Sequence, residues 1–227
     1  MFRTPRRPAL QAALLLLAAS ALPASAQERP LRYELTPYGA YRFGGEFEAA
    51  DTPDDGDTSN DGRDFELHEG NALGLIVDIR TNAVNTQWEI LYAHQDTRLE
   101  TQETFTGGPL LDLDVDYLQF GGTYLFDEQS DSTVPFIAMT AGLARFAPEA
   151  AGLEAESYFS GSLGGGVQLR ADKRVGVRLE ARVFGTFVDS DSTLFCRTGP
   201  QANFCALSVS GNVLVQFEAR AGLVVRF

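Results

Sequence analysis

The stretch Val213–Phe227, VLVQFEARAGLVVRF, decides the fold. Read in steps of two, Val213, Val215, Phe217, Ala219, Ala221, Leu223, Val225 and Phe227 are all apolar. The intervening Leu214, Gln216, Glu218, Arg220, Gly222, Val224 and Arg226 are mostly polar or small. Successive side chains of a β-strand point to opposite faces, so one face of this segment is apolar over its whole length. That length exceeds an ordinary soluble strand of about 5–6 residues. It suits a tilted strand crossing a bilayer, which needs about 9–11 residues in the hydrocarbon.

Working outward, the alternation recurs. Val175, Val177, Leu179, Ala181 and Val183 alternate with Gly176, Arg178, Glu180, Arg182 and Phe184. Phe159, Leu163, Val167 and Leu169 alternate with serines, glycines and Gln168, while Leu73, Leu75, Val77 and Ile79 alternate with Ala72, Gly74, Ile76 and Asp78. Tyr33, Leu35, Tyr41 and Phe43 alternate with Arg32, Glu34, Thr36 and Arg42, and Trp88, Ile90 and Tyr92 with Gln87, Glu89 and Leu91. Two segments are less regular. Residues 111–126 change phase: Leu111, Leu113, Val115 and Tyr117 oppose three aspartates, then Leu118, Phe120, Tyr124 and Phe126 form the apolar set. The second set is read as lipid-facing, which puts Asp112, Asp114 and Asp116 above the membrane. Residues 134–145 are apolar on both faces, and their phase stays open.

The pattern predicts eight strands, at 32–43, 67–79, 86–98, 111–126, 134–145, 157–170, 174–188 and 207–227. Long connections at 44–66, 99–110, 146–156 and 189–206 alternate with short ones at 80–85, 127–133 and 171–173. Membrane barrels show this asymmetry, with short periplasmic turns and long outside loops. Soluble eight-stranded barrels have the opposite lining, an apolar interior that holds a ligand. Here the polar face carries Arg178, Glu180, Arg182, Glu218 and Arg220. The expected fold class is therefore all-β, an eight-stranded antiparallel up-and-down transmembrane β-barrel.

The N-terminus adds the route. Arg3, Arg6 and Arg7 precede the apolar run AALLLLAASAL at 12–22, followed by Pro23 and the triplet Ala24-Ser25-Ala26. This is a secretory signal peptide cut after Ala26; the run is too short to span a bilayer. The expected division is a signal peptide at 1–26 and a barrel domain at 27–227. The 227-residue chain carries a formal charge of −13, and residues 1–26 hold three arginines and no acid. The barrel domain is thus more acidic still, which argues against nucleic-acid binding. Two histidines and two cysteines are thin material for a transition-metal site. No metal and no cofactor is expected.

On these residues the chain resembles the small outer-membrane β-barrel proteins typified by the OmpA transmembrane domain, OmpX/Ail and OmpW. The resemblance covers the whole of 27–227 and is carried best by VLVQFEARAGLVVRF. It implies an outer-membrane location, with outer-membrane lipid and lipopolysaccharide as surroundings. It also implies that the terminal aromatic strand, ending in Phe227, is read by the barrel-assembly machinery. The pattern is specific for the architecture and unspecific for the activity. No cell-wall-binding domain is expected after Phe227. A closed barrel has no free edge, so a monomer is expected.

Eight strands leave an interior just wide enough for side chains to fill, and buried charges need partners. Placing Arg182 opposite Glu218 and Glu180 opposite Arg220 pairs unlike charges. A shift of register sets Glu180 against Glu218 and Arg178 against Arg220. The first register is favoured. It gives an ion-paired plug, with a selectivity constriction as the alternative. Cys196 and Cys205 fall nearly opposite each other at a loop tip. In an oxidising compartment they read as one disulfide, contributing about 2–3 kcal/mol.

The first long loop holds Asp54, Asp55, Asp57 and Asp61 among other acids, opposed by Arg63. A calcium-loop pattern fails, because His68 stands where the final Glu belongs. What remains is weak divalent binding or a solvated acidic loop. His94 and Asp96 share a face two residues apart and invite a rim-enzyme reading. That face also carries Trp88, Ile90 and Tyr92, so His94 is expected at the membrane interface and no enzyme is expected. The leading reading is a structural or surface-interaction barrel, with a narrow solute channel as the alternative.

Overall fold

The computed structural model describes residues 32–47, 65–101, 111–126, 132–149, 154–188, 193–197, 204–208 and 213–227. The segment 1–26 and the acidic positions Asp54, Asp55, Asp57 and Asp61 lie outside them. Eight long strands form the barrel: β1 (Tyr33–Phe43), β4 (Gly70–Arg80), β5 (Thr86–Thr101), β6 (Leu111–Leu125), β7 (Thr133–Pro148), β8 (Glu156–Arg170), β9 (Val175–Phe187) and β12 (Val213–Arg226). Each pairs antiparallel with its neighbour, and β1 pairs with both β4 and β12, so the sheet closes on itself. Closure satisfies every strand edge inside hydrocarbon, where no water can do so.

Four short strands extend the loops: β2 (Glu46–Phe47), β3 (Phe65–Leu67), β10 (Thr193–Arg197) and β11 (Phe204–Ser208). They correct the expected boundaries. The 67–79 strand divides at His68–Glu69 into β3 and β4. β10 and β11 pair as a separate two-stranded sheet, and β11 straddles the junction between the expected loop 189–206 and the expected strand 207–227. Alternation alone shows no break at such points. Between β1 and β2 the chain turns at Gly44 and Gly45, with φ of 79° and 111°, a region costly for any residue with a Cβ.

The faces follow the period of two. On β12, Val213, Val215, Phe217 and Leu223 are exposed, while Leu214, Gln216, Glu218, Arg220, Val224 and Arg226 are buried. On β6, Leu118, Phe120 and Tyr124 face outward and Leu113, Val115 and Tyr117 inward, so one phase runs through the strand. The aspartates Asp112, Asp114 and Asp116 lie on the outward face above the apolar set. β7, left open by the sequence, presents Pro135, Ile137, Met139, Ala141, Leu143 and Arg145 outward, and Val134, Phe136, Ala138, Thr140 and Ala144 inward. From Pro135 to Arg145, at about 3.3 Å per residue and a tilt near 40°, the strand climbs about 25 Å, the height of an outer-membrane apolar band. Aromatic side chains ring this band: Trp88, Tyr124, Phe126, Tyr33 and Phe227 at one end, Tyr41, Phe43, Phe217, Phe159 and Phe187 toward the other.

Several inward glycines are fixed by neighbouring backbone. A Cβ on Gly142 would overlap the carbonyl of Leu118, whereas one on outward Gly161 meets its nearest atom, Thr140 O, at an ordinary 3.7 Å. Gly142→Ala is therefore expected to cost about 1–3 kcal/mol, the range of an overpacked interior. Gly161→Ala should be close to neutral. The fraction migrating as the compact, heat-modifiable species after refolding checks both; equal loss in the two variants would contradict the packing described.

Candidate functional site

The lumen is the most elaborate part of the molecule. Among the described residues, ten charged side chains are buried in it. Five are acids, Glu34, Asp78, Glu89, Glu180 and Glu218; five are arginines, Arg42, Arg178, Arg182, Arg220 and Arg226. This buried set holds acids and arginines in equal number. Inward positions on neighbouring strands carry these groups because each strand turns one face to the axis.

At the centre is a closed ring of four charges. Arg178 Nε donates to Glu180 Oε2 (2.8 Å), and Arg182 Nε to Glu180 Oε1 (2.6 Å). Arg182 Nη2 and Arg178 Nη2 then donate to the two oxygens of Glu89, at 2.6 and 2.8 Å. Arg178 Nη1 also reaches Asp78 (3.0 Å), and Thr123 donates its hydroxyl to Glu89 (2.6 Å). Arg182 Nη1 is finished by Thr140 and Ser162, both at 3.1 Å. Charge-assisted bonds of this kind are the strong ones, and their mutual satisfaction offsets the desolvation of each ion.

Above the ring, Arg42 donates through Nε (2.9 Å) and Nη2 (2.5 Å) to Glu218 Oε2. Its guanidinium lies 4.9 Å from the Tyr117 ring centre and 5.0 Å from that of Phe184, within cation–π range. Arg220 sits 2.7 Å from Glu218 and over the Tyr38 ring at 4.5 Å. Higher still the lining is apolar, with Leu67, Leu113, Val115, Phe146, Val188 and Leu214 packed together. Toward the strand ends bearing the short turns, Arg226 donates to Glu34 (3.1 Å) and Gln168 (2.9 Å).

The register sets Arg182 opposite Glu218 and Glu180 opposite Arg220. Their bonding partners differ from that opposition. Arg182 reaches Glu180 and Glu89, and Glu218 reaches Arg42 and Arg220. The reason is curvature: side chains of a small barrel converge on its axis, so a long arginine meets groups from across the lumen as easily as its cross-strand neighbour. Sequence reading placed Arg42, Asp78, Glu34, Glu89 and Arg226 on polar faces but did not identify them as partners. The usable signal was that each is a charge at an inward position. β8 also contributes through what it lacks: a Cβ on Gly164 would overlap Glu180 and crowd Arg182 Nε at 2.9 Å.

Of the other expected sites, Cys196 and Cys205 are direct partners in the β10–β11 register; their side chains lie outside the described set. Phe227 closes the seam. Its amide donates to Tyr33 O (3.0 Å), its carbonyl accepts from Tyr33 N (3.1 Å), and the two rings stack at 6.2 Å.

His94 lies on the outward face at the loop end of the barrel. Its Nδ1 is 2.8 Å from Asp116 and its Nε2 3.0 Å from Asp96. Tyr92 donates to Asp116 (2.9 Å), which Arg145 also approaches (3.4 Å). Partial burial would lower the His94 pKa, but the Asp116 hydrogen bond and charge, with Asp96, outweigh it and raise it. With a carboxylate on each ring nitrogen, neither nitrogen is left to take a proton from a nucleophile. Asp114 beside it is pushed up by partial burial and by Asp96.

Arg182→Met would leave Glu89 and Glu180 each short of a counter-charge, and is expected to cost about 3–5 kcal/mol. Urea unfolding of the refolded barrel in lipid measures it; a loss below about 1 kcal/mol, the value of an exposed pair, would contradict the ring's role. A histidine whose folded pKa is raised contributes stability below its unfolded value of about 6.5, lost as pH climbs through the raised value. In an NMR titration His94 should therefore titrate above its ordinary value, and Asp116→Asn should bring it down. An unchanged His94 pKa in that variant would remove the assignment.

No family model matches the chain, and no curated protein sequence does. Solved structures do. The outer membrane protein OprG from Pseudomonas aeruginosa is similar with a TM-score of 0.58 at 13% identity, over 87% of this chain and 96% of that one. The outer membrane protein AlkL, determined in lipid bilayers, gives 0.55 at 11% identity, over 91% and 95%. Neisserial surface protein A gives 0.54 at 16%, over 86% and 97%. Such identities speak for the backbone and not for an activity. Together with the closed sheet, apolar exterior and charged lumen, they establish that the chain has the fold of the small eight-stranded outer-membrane β-barrels.

Proposed function

We propose that the protein is an integral outer-membrane barrel with a structural or surface-interaction role, acting through its outside face and loops rather than its lumen. The observation that carries this reading is the obstructed interior. A ring of four charges, a guanidinium set against Tyr117 and Phe184, and an apolar cluster follow one another along the axis. Moving an ion through would break several buried charge-assisted bonds in succession. The surroundings are outer-membrane lipid and lipopolysaccharide, the copy number is one, and Phe227 serves the assembly machinery. The cross-strand position of Cys196 and Cys205 supports a disulfide at the loop tip. No reaction is proposed, since His94 is held between two carboxylates.

A narrow channel is the second reading. Among the described residues it is favoured by buried polar atoms without a hydrogen-bond partner in the protein, including Thr36 Oγ1, Gln168 Nε2 and Arg220 Nε and Nη1. Such groups call for water. Planar-bilayer conductance of refolded protein separates the readings, after compact gel migration has shown that the barrel formed. Silence is expected. Discrete, reproducible steps would overturn the filled-lumen reading and leave the channel in its place. The same preparation run without reductant should show no free thiol; two titratable thiols would remove the disulfide.

A further inference from the structure

Three acids stand in one row across the inner wall. Glu34 on β1 is the direct cross-strand partner of Asp78 on β4, and Asp78 is the partner of Glu89 on β5. All three are buried in the lumen. Like charges set opposite one another destabilise a sheet unless something offsets them. Both oxygens of Glu89 are used, by Arg178, Arg182 and Thr123. The other two carboxylates are half used. Asp78 Oδ2 accepts from Arg178, and Glu34 Oε1 accepts from Arg226 and Gln87. Asp78 Oδ1 and Glu34 Oε2 have no hydrogen-bond partner.

Two neutral oxygens beside them are in the same condition. Gln87 donates through Nε2 to Glu34 Oε1 at 2.9 Å, which carries its amide from β5 across β4 to β1. That bond also fixes which end of the amide is the oxygen, and Gln87 Oε1 is left without a donor. Thr36, two residues from Glu34 on the same face of β1 and diagonal to Asp78, leaves its Oγ1 unpartnered. None of the four side chains is more than 3% exposed. Buried oxygens in this condition call for a partner.

The neighbouring arginines do not supply it. Arg178 already spends Nε, Nη1 and Nη2 on Glu180, Asp78 and Glu89. Arg226 Nη1 is unpartnered but is directed at β9, 3.4 Å from where a Cβ on Gly176 would stand. Arg80 and Arg170 lie lower, at the mouth, half-buried and with interactions of their own. A water molecule can donate to two of the four oxygens at most. Three oxygens that can only accept, with a hydroxyl that can accept, are served together by a positive centre that they share. The set is two carboxylates, an amide oxygen and a hydroxyl, with no nitrogen or sulfur. Among the described residues no group of three His, Cys, Asp or Glu gathers as metal ligands. An all-oxygen set in which half the members are neutral suits a hard cation and not a transition metal.

We propose that Glu34 Oε2, Asp78 Oδ1, Gln87 Oε1 and Thr36 Oγ1 form a site for one hard cation of the sodium or calcium class, held between the charged ring and the short-turn end of the barrel. Water completes its shell and gives the unpartnered Gln168 Nε2 an acceptor. The site goes beyond the surface role and is read separately from conductance, since it concerns an ion that stays and not one that passes.

The test uses the full chain refolded at one ionic strength in choline chloride, sodium chloride or calcium chloride, so that the ion is present as the lumen closes. Free ion is then removed, the ion content of the compact species is measured by plasma mass spectrometry, and urea unfolding is followed in each salt. One sodium or one calcium per wild-type chain is expected to remain; which salt does this identifies the ion. At a hundredfold excess over its dissociation constant, that ion should lower the unfolding constant about a hundredfold relative to choline. Asp78→Asn should abolish both effects. Thr36→Val, which keeps the shape and removes one oxygen, should weaken the ion about tenfold, the scale of one contact to a charge; it decides the matter if Asp78→Asn does not reach the compact form. Asp114→Asn, on the outer rim, should change neither reading. Equal stability in the three salts with no retained ion would overturn the proposal and assign the four oxygens to water or a proton. An ion retained equally by wild type and by both lumen variants would also overturn it, placing that ion elsewhere on the chain.

Discussion

Everything in this barrel is arranged around the mutual satisfaction of Arg178, Glu180, Arg182 and Glu89. An eight-stranded barrel encloses too little space for water to solvate charges freely and too much to be left empty. Closing two guanidinium groups and two carboxylates into one cycle resolves the conflict, because each ion is held from two sides. The cycle also constrains the wall around it. β8 presents Gly164 toward it, and Asp78, Thr123, Thr140 and Ser162 supply further hydrogen bonds.

The cycle joins strands that are not neighbours. Glu89 lies on β5 and its two arginines on β9, with three long strands between them in either direction around the wall. Backbone pairing ties each strand only to the next. The charged cycle ties opposite sides, so it resists flattening of the barrel as well as opening of a single seam.

How far this was legible in sequence depended on the range of the interaction. The period of two in Val213–Phe227 exposed the fold and the inward or outward sense of most strands. Unlike-charge matching also selected the register seen between β9 and β12. Both are local or nearest-neighbour properties. The bonding partners were not legible, because Arg178 with Asp78 and Arg182 with Glu89 depend on the curvature of the closed sheet. β7 was opaque for a related reason: Phe136 and Ala138 fill the lumen as apolar groups, so both its faces look alike. The break at His68–Glu69 interrupts an expected strand without interrupting the hydrophobic pattern, and the pairing of β10 with β11 falls where a loop was expected.

The seam between β1 and β12 joins Glu34 to Arg226 across 192 positions of sequence. Every other pairing among the eight long strands links long strands that follow one another along the chain. The closing contact is therefore the most non-local one, and non-local pairing slows folding. Until Tyr33 and Phe227 meet, the sheet has two bare edges, which hydrocarbon does not tolerate and other chains readily pair with. An unfinished barrel is accordingly a sticky, membrane-incompatible intermediate, and the step that ends this state is a single zipping event along one seam. Insertion and closure are thus coupled by topology: the molecule cannot settle fully into a bilayer as a partial sheet and complete itself later.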